Sequence, residues 1–575
     1  MRKILIVAIL CSLCLPAVAQ LTTDQKVADF QYLAGVFAKR YAFYEWKKTA
    51  VKFDGLDLAP WLDKVRGTTD DLSFLQICAE YVAGYQDSHI AFLLPSTFTA
   101  TDGITADVYS GKVVLDSIDR TLLPEKDYGF QVGDEIYSVN AVPLSRLLST
   151  LSPIAGEANS LTSSRVAAGM LLNRSQERDP YANKIEKFAN VEVIQQGGKH
   201  YTATVWWNED GIAYPGSGRQ PSPRTVEPRH PPVRPRPRSG REAVSANGGV
   251  AGPDYMKHLR MLRNFRIPGE RFISGEGDLA PFFAMPASFK QRLGDPNADE
   301  FFTGTFAAGA HTIGFVRIPT FEFFDISPLQ SELTWMNTNT DALVVDVTRN
   351  PGGYGCNAED AAAALIPTRF QSLGQQIRVT WEWLFGFEQD LQYAQQFGAP
   401  QADIDSLKQV VSAAQKAYAE NRGFTTTLPL CGDSETIEPA TDSKTNKVIA
   451  YTKPILLLTD NGSASAAELF AAILQDNKRS TQFGMRTMGA GGAVVNELAG
   501  VYMDASVNLP ESILIRSHNV EAPGLPAAPY VENIGVIPDS SFDYQTLDNL
   551  QKQGKPFVDA FTAAVVNLIP AAAGK

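Results

Sequence analysis

The chain contains a buried strand that runs directly into a helix, between Pro454 and Gly492. The apolar run at residues 455–458 has the length of a strand, and the polar turn at 459–462 ends it. Apolar residues at helical spacing follow, and they are Ala466, Leu469, Phe470, Ile473 and Leu474. Because the same alternation of strand and helix recurs from residue 301 onward, this part is predicted to be an α/β domain with its sites at the carboxyl ends of the strands.

Ser465 lies at the N-terminus of the predicted helix. Free backbone N–H groups and the helix dipole favour negative charge there, which suits both a serine nucleophile and the oxyanion of a tetrahedral intermediate. The same residues also fit a capping box, in which Ser465 and Glu468 satisfy each other's end of the helix. Residues elsewhere in the chain decide between these two interpretations.

Composition limits the classes of function that need attention. A chain of 575 residues is too long for one core, so about two to four domains are expected. The hydrophobic content of 44% and charged content of 20% are those of an ordinary globular protein. The net charge of −12 is spread along the chain, and nothing in it indicates binding to nucleic acid.

The first residues predict a secretory signal peptide. A basic start is followed by a short apolar stretch and an Ala-Val-Ala cleavage site, so removal of residues 1–19 is expected after Ala19. No later run approaches the about 20 apolar residues that cross a bilayer, so no membrane insertion is expected after cleavage. The sequence therefore predicts an exported protein, periplasmic or extracellular. Of the three cysteines left, Cys78 fits a helix core, and a bridge between Cys356 and Cys431 stays open.

The pattern divides the mature chain into four parts. Residues 20–98 are predicted to be a helical N-terminal domain, 99–208 a domain of short strands, 209–255 a linker rich in Pro and Arg, and 256–575 the α/β core, with a helical insertion at about 380–422. The linker is expected to be solvated and open to proteolytic nicking, although its basic charge could also attract an acidic surface. Residues 129–140 resemble PDZ domains, which bind peptide ends by strand addition, and the alternative is a small β domain that acts as a spacer.

A second glycine turn, at residues 346–353, directly follows another buried strand. Its glycines, Gly352 and Gly353, leave backbone N–H groups open to a ligand. Together with the N–H of Ala466 they are candidates for an oxyanion hole. Taken alone, Pro-Gly-Gly would be an ordinary turn.

The two turns together resemble one family. Leu-Val-Val-Asp-Val-Thr-Arg-Asn-Pro-Gly-Gly at 343–353 and Asn-Gly-Ser-Ala-Ser-Ala-Ala-Glu at 461–468 are similar to motifs of the C-terminal processing (tail-specific) and tricorn-core serine peptidases. The resemblance implies a multidomain α+β fold with a helical N-terminal region, a PDZ-like β domain and an α/β core of the ClpP/crotonase type. It also implies that Ser465, and not Ser463, is the nucleophile.

The general base differs from the commonest branch of that family. The tail-specific proteases use a lysine in the segment that here reads Met488-Gly489-Ala490-Gly491, and Ala490 cannot accept a proton. Histidine suits neutral pH best, and the chain has six, namely His89, His200, His230, His258, His311 and His518. The context of His89 resembles the branch of tricorn protease and the chlamydial protease-like activity factor, which uses Ser, His and Glu. His518 is the reserve base.

The acid that orients the base is expected near the C-terminus. Residues 531–539, Val-Glu-Asn-Ile-Gly-Val-Ile-Pro-Asp, resemble the segment that carries the glutamate of that branch. Glu532 is therefore the predicted third member, and Glu521 is a weaker candidate.

These residues predict an exported serine endopeptidase that acts on proteins or peptides without a cofactor or metal. Two alternatives stay open. One is a binding protein without catalysis, because the same core is found in the interphotoreceptor retinoid-binding protein. The other is a latent enzyme that is activated by cleavage within residues 214–252. The sequence leaves the substrate and the oligomeric state open, with a homodimer among the alternatives.

Overall fold

The computed structural model describes residues 20–214, 254–266, 272–322, 325–442 and 444–570. The predicted signal peptide and most of the predicted linker lie outside these residues. Within them the chain has a mixed α/β fold of several parts. Among the helices of these ranges, none combines the length and the apolar character that crossing a bilayer requires.

The first described part is helical and ends in a short strand. Side chains of Thr22 and Asp70 cap two of its helices through capping boxes. Aromatic rings form its core, with Phe37 stacked on Tyr85 at a centroid distance of 4.4 Å. The elements are α1 (Thr23–Arg40), α2 (Tyr44–Ala50), α3 (Ala59–Arg66), α4 (Asp71–Ala83) and β1 (Ala91–Leu93).

The second part is a twisted antiparallel sheet with two helices. Strands β3, β4, β5, β8 and β9 follow one another across this sheet, and β6 pairs with β5. The elements are β2 (Thr99–Thr101), β3 (Ile104–Tyr109), β4 (Lys112–Ile118), β5 (Glu135–Val139), β6 (Val142–Pro143), α5 (Leu144–Leu151), α6 (Ser160–Gly169), β7 (Asn173–Ser175), β8 (Phe188–Ile194), β9 (His200–Trp206) and β10 (Asn208–Asp210).

The third part is built on a sheet of seven described strands in the order β12-β13-β14-β15-β21-β22-β27. The last three of these strands are β21 (Ile455–Thr459), β22 (Thr481–Gly484) and β27 (Ser540–Ser541). Strands β14, β15, β21, β22 and β27 pair in parallel, which places the carboxyl ends of β15 and β21 side by side. The elements before the insertion are α7 (Lys257–Leu262), β11 (Asn264–Arg266), β12 (Lys290–Leu293), β13 (Phe302–Ala308), β14 (His311–Arg317), α8 (Ile326–Asn339), β15 (Ala342–Asp346), β16 (Gly352–Tyr354), α9 (Gly355–Ala363), β17 (Phe370–Gln371) and β18 (Gly374–Ile377).

The insertion is a pair of helices, α10 (Trp381–Gln396) and α11 (Gln401–Ala419), after which the chain returns to the sheet. Cys356 and Cys431 form a disulfide, the bridge that the sequence left open, and Cys78 is a buried free thiol. The remaining elements are β19 (Leu428–Pro429), β20 (Thr436–Ile437), β21 (Ile455–Thr459), α12 (Ala466–Asp476), β22 (Thr481–Gly484), β23 (Val494–Leu498), β24 (Ser506–Pro510), β25 (Ser512–Val520), β26 (Ala528–Tyr530), β27 (Ser540–Ser541), α13 (Leu547–Gln551) and α14 (Lys555–Asn567).

Candidate active site

The two predicted turns meet at the carboxyl ends of β15 and β21. The Asp460 carboxylate accepts hydrogen bonds from the N–H of Arg349 at 2.8 Å and of Gly462 at 3.1 Å. The N–H of Ala464 donates to the Asn350 carbonyl at 2.9 Å. Because neighbouring parallel strands end at one edge of the sheet, residues about a hundred positions apart in the chain form one buried surface.

Ser465 is buried at the point where this turn becomes helix α12. Its backbone φ of +62° lies in the left-handed region, which a non-glycine residue occupies at a cost of about 1–3 kcal/mol. Its N–H donates to Glu468 at 2.9 Å, as the capping box predicts. Ser463 Oγ, in contrast, lies 2.8 Å from the Val347 carbonyl and supports the turn.

His89 approaches the serine from the loop between α4 and β1. Its Nε2 lies 2.8 Å from Ser465 Oγ, although the two residues are 376 positions apart. The Asp87 carboxylate accepts the backbone N–H of His89 at 2.8 Å and the hydroxyl of Tyr41 at 2.7 Å, which fixes the loop. Nδ1 of His89 is buried and has no hydrogen-bond partner among the described residues.

Glu532 is buried behind the imidazole. Atoms of Asp87, His89 and Glu532 lie within 4.8 Å of one another. One oxygen of Glu532 contacts Nζ of Lys47, and the other accepts the N–H of Gly491 at 3.0 Å. The fully buried Lys47, from helix α2, thus brings a positive charge into the same cluster.

Asn533 holds Lys47 in this position. Nζ of Lys47 also donates to Oδ1 of Asn533 at 2.6 Å and to the Gln86 carbonyl at 2.8 Å. The Asn533 amide in turn donates to the carbonyls of Gln86 and Ala158, each at 2.8 Å. The cluster is therefore tied to the loop that carries His89.

The same three groups could in principle offer ligand atoms to a metal ion. Their partners argue for proton chemistry instead, because the ammonium of Lys47 already lies on Glu532, where a cation would have to displace it. Asp87 is also engaged, by Tyr41 and by the backbone of His89. The unpartnered Nδ1 of His89, in a ring close to two carboxylates, fits an imidazole that gains and loses a proton.

Burial controls the protonation of these groups. It lowers the pKa of His89 to about 4, with Asp87 opposing the shift and Lys47 adding to it. Burial and the negative charge of Asp87 raise the pKa of Glu532 well above its usual range, against the pull of Lys47 and the Gly491 N–H. The imidazole is therefore neutral near neutral pH and able to accept a proton.

Of the two glycines predicted to supply oxyanion donors, Gly352 has its N–H already bonded, and Gly353 does not have its N–H bonded to the same side of the strand. Gly352, at a φ of +92°, approaches so closely that an added Cβ would lie 2.7 Å from Cβ of Ser465 and 2.9 Å from the nitrogen of Ala466. Its own N–H, however, donates to Asn350 at 2.8 Å. The Gly352 carbonyl and the Tyr354 N–H are bonded to Phe321, so the N–H of Gly353 faces the opposite side, toward β11.

Strand β11 covers this side of the site. It pairs antiparallel with β16, which places Phe265 opposite Gly353. The Phe265 carbonyl oxygen contacts Ser465 Oγ, and a Cβ on Gly352 would lie only 2.5 Å from that oxygen. A peptide carbonyl of the chain itself thus lies on the serine.

The remaining residues that the sequence analysis singled out do not join the site at Ser465 as a base or an acid. His518 is half exposed, with Nε2 3.8 Å from Asp476, and Glu521 is exposed at the end of β25. Ala490 is buried, and its N–H donates to Glu468 at 2.6 Å. Sequence reasoning missed Lys47 and Phe265, and no local signal marks either of them.

Comparison with known proteins identifies the class of this site. Residues 312–519, which include both turns, match peptidase family S41. This part of the chain is therefore similar to the serine peptidases of that family.

Three chlamydial proteins are similar to this chain. A Chlamydia muridarum protein is 26% identical over 293 residues, which is 45% of this chain and 46% of the relative, and a Chlamydia trachomatis protein is 26% identical over 305 residues, with the same shares. The match spans about half the length of these two relatives. A Chlamydia pneumoniae protein is 21% identical over 603 residues, covering 95% of this chain and 90% of the relative.

The fold is shared with CPAF. The crystal structure of mature CPAF is 20% identical at a TM-score of 0.68, covering 95% of this chain and 98% of that chain. A CPAF mutant gives 19% identity and a TM-score of 0.72, covering 96% and 99%.

Proposed function

We propose that the chain is an exported serine endopeptidase that cleaves proteins or peptides through Ser465, His89 and Glu532. The observation that carries the proposal is the 2.8 Å approach of His89 Nε2 to Ser465 Oγ, at a buried serine on a strained helix N-terminus. Nucleophile and base within hydrogen-bond reach are the geometric signature of covalent catalysis.

Each residue has one role in the proposed reaction. Ser465 Oγ forms a bond with the peptide carbonyl carbon while His89 Nε2 takes the hydroxyl proton, and His89 then gives this proton to the leaving amine. The imidazolium formed between these steps is stabilised by Asp87 and Glu532, both close to it. The N–H groups of Ala466 and Gly353 are the donors proposed for the oxyanion. Gly352 has no side chain and so leaves the space next to Ser465 open. Water then releases the acyl group from Ser465.

A fluorophosphonate probe tests this proposal. The full chain is expected to be labelled on Ser465 and to degrade unfolded casein, whereas Ser465→Ala should lose both, by about 10³-fold or more. Circular dichroism of the variant serves as the control for folding. Labelling on Ser463, or casein cleavage that survives Ser465→Ala, would exclude the assignment. A well-folded chain that is never labelled under any condition would favour a binding protein on this core.

One observation favours a latent form of the same enzyme. The Phe265 carbonyl contacts Ser465 Oγ, and only helix α7 separates its strand β11 from the predicted linker in the chain. We therefore infer that cleavage within residues 214–252 frees β11 and activates the enzyme. Fluorophosphonate labelling is expected to become faster after trypsin has cut the linker. Full activity of material whose linker mass spectrometry finds intact would refute the latent form.

Three finer parts belong to the same proposal. Residues 1–19 act as the export signal, the helical part at 20–98 positions His89, and the sheet at 99–208 acts as a PDZ-like domain toward extended substrates. N-terminal sequencing of exported protein tests the first part. Sedimentation decides whether the chain forms a homodimer.

A further inference from the structure

Strand β11 lies in the site as a peptide substrate would. Its pairing with β16 uses the free edge of Gly353, in the manner of strand addition, and its Phe265 carbonyl reaches Ser465 Oγ. The residue whose carbonyl contacts the nucleophile corresponds to the residue on the N-terminal side of a scissile bond. Phe265 therefore marks the position of that substrate residue.

The ring of Phe265 occupies a defined pocket. It is fully buried, and a Cβ on Gly355 would lie 2.7 Å from Cε2 of the ring and 3.4 Å from a methyl group of Leu430. The bare Cα of Gly355 is thus one wall of the pocket. The disulfide between the next residues, Cys356 and Cys431, ties this wall to the segment of Leu430.

The following residue, Arg266, marks the position on the leaving side. Its guanidinium lies 2.6 Å from the carboxylate of Glu322. Both side chains are partly exposed, at 47% and 31%, so this contact contributes weakly. The strong selectivity should come from the apolar pocket on the other side of the bond.

We propose that the enzyme cleaves after aromatic residues, with Gly355 as the residue that determines this specificity and a secondary preference for a basic residue after the bond. This inference rests on the proposed function. A methyl group on Gly355 would fill space that an aromatic ring needs but that an alanine side chain leaves empty. The variant Gly355→Ala should therefore act on the choice of substrate.

The test uses peptides that are identical except for Phe, Tyr, Ala or Asp before the bond, with cleavage sites read by mass spectrometry. The full chain and its Phe265→Ala variant, in which the chain's own ring has left the pocket, are both assayed. The expected result is a kcat/KM at least about tenfold higher for Phe and Tyr than for Ala, with Asp lowest. Gly355→Ala should reduce the Phe-to-Ala ratio by about tenfold.

Gly35→Ala is the matched control, because nothing lies within 4 Å of a Cβ at that position. It should keep the ratio of the parent chain. Cleavage that depends on Ser465 but shows no aromatic preference, or a preference that Gly355→Ala leaves unchanged, overturns the specificity proposal and leaves the proposed function in place. If neither the full chain nor its Phe265→Ala variant shows cleavage or fluorophosphonate labelling, the proposed function is overturned, and the specificity proposal with it.

Discussion

The residues around His89 form one charged cluster with no water-exposed member. Lys47, Asp87, His89 and Glu532 are all buried, so the protonation of each group depends on the others. Removing one partner of a buried ion pair leaves the other charge uncompensated, which costs about 3–5 kcal/mol. Lys47 is therefore a positioning residue for Glu532.

Replacing Lys47 by methionine tests that role. Lys47→Met should lower the free energy of unfolding by about 3–5 kcal/mol and slow fluorophosphonate labelling of the protein that still folds. The neighbouring Lys48 pairs with Asp54 at the surface, so Lys48→Met should leave labelling unchanged and serves as the control. Urea unfolding and labelling rates measure the two effects. Equal labelling rates in the two variants would show that Lys47 does not position the active-site residues.

The low pKa of His89 predicts a stability change with pH. The pKa falls from 6.5 to about 4 on folding, so the unfolded chain binds the proton first as pH decreases. The contribution is fully present above about pH 6.5 and is lost as pH falls to about 4, with a total of roughly 3 kcal/mol. Urea unfolding at about pH 7 and pH 4.5 should show a smaller acid loss in His89→Asn than in the parent. An equal loss in both proteins would contradict the burial of this imidazole.

At the scale of elements, the disulfide joins the start of α9 to the chain between the insertion and β20. It closes a loop with a sequence separation of 75 residues, for which a stabilisation of about 2–4 kcal/mol is typical. Cys356 follows Gly355, which lies against the ring of Phe265, and Cys431 follows Leu430, which lies close to Gly355. Removal of the disulfide should therefore affect both stability and the site.

The double variant Cys356→Ala, Cys431→Ala tests this element. Its thermal unfolding midpoint should fall by several degrees, because a stability loss of about 2–4 kcal/mol shifts the midpoint by that order in a chain of this size. Cleavage of aromatic peptides should decrease more than cleavage of the alanine peptide. Reducing agent should destabilise the parent and leave the double variant unaffected; a parent insensitive to reduction would contradict the predicted contribution.

The elements that carry the site were largely predictable from the sequence, whereas the buried residues that position its side chains were not. Apolar runs of strand length predicted β15 and β21, and small residues predicted the turns that place Gly352 and Ser465 together. His89 and Glu532 came from the resemblance of short segments, because no local pattern joins residues 376 positions apart. Lys47 and Lys48 are adjacent and identical in sequence, and only the folded packing decides which of them is buried.

At the scale of the molecule, the sheet at residues 99–208 is fixed to the nucleophile turn. Arg165 of α6 pairs with Asp107 of β3 and donates to Oδ1 of Asn461 at 2.6 Å. Asn461 in turn donates to Gln545 at 3.0 Å. These contacts are buried, so the sheet supports the active-site turn directly.

Arg165→Met should disrupt this support. The buried Asp107 would lose its partner, with an expected cost of about 3–5 kcal/mol and slower labelling of Ser465 in the folded fraction. Arg146→Met on the exposed face of α5 is the control and should behave like the parent. Labelling at the parental rate in Arg165→Met would show that the sheet folds independently of the nucleophile turn.

The proposed triad takes its histidine from the first quarter of the chain, its serine from the last quarter and its glutamate from near the end. A ribosome makes about 5–20 residues per second, so the serine exists for several seconds before residue 532 has been added. A growing or truncated chain therefore cannot complete the acid–base pair. In the proposed mechanism, the order of the residues along the chain therefore delays completion of the triad until synthesis has nearly finished.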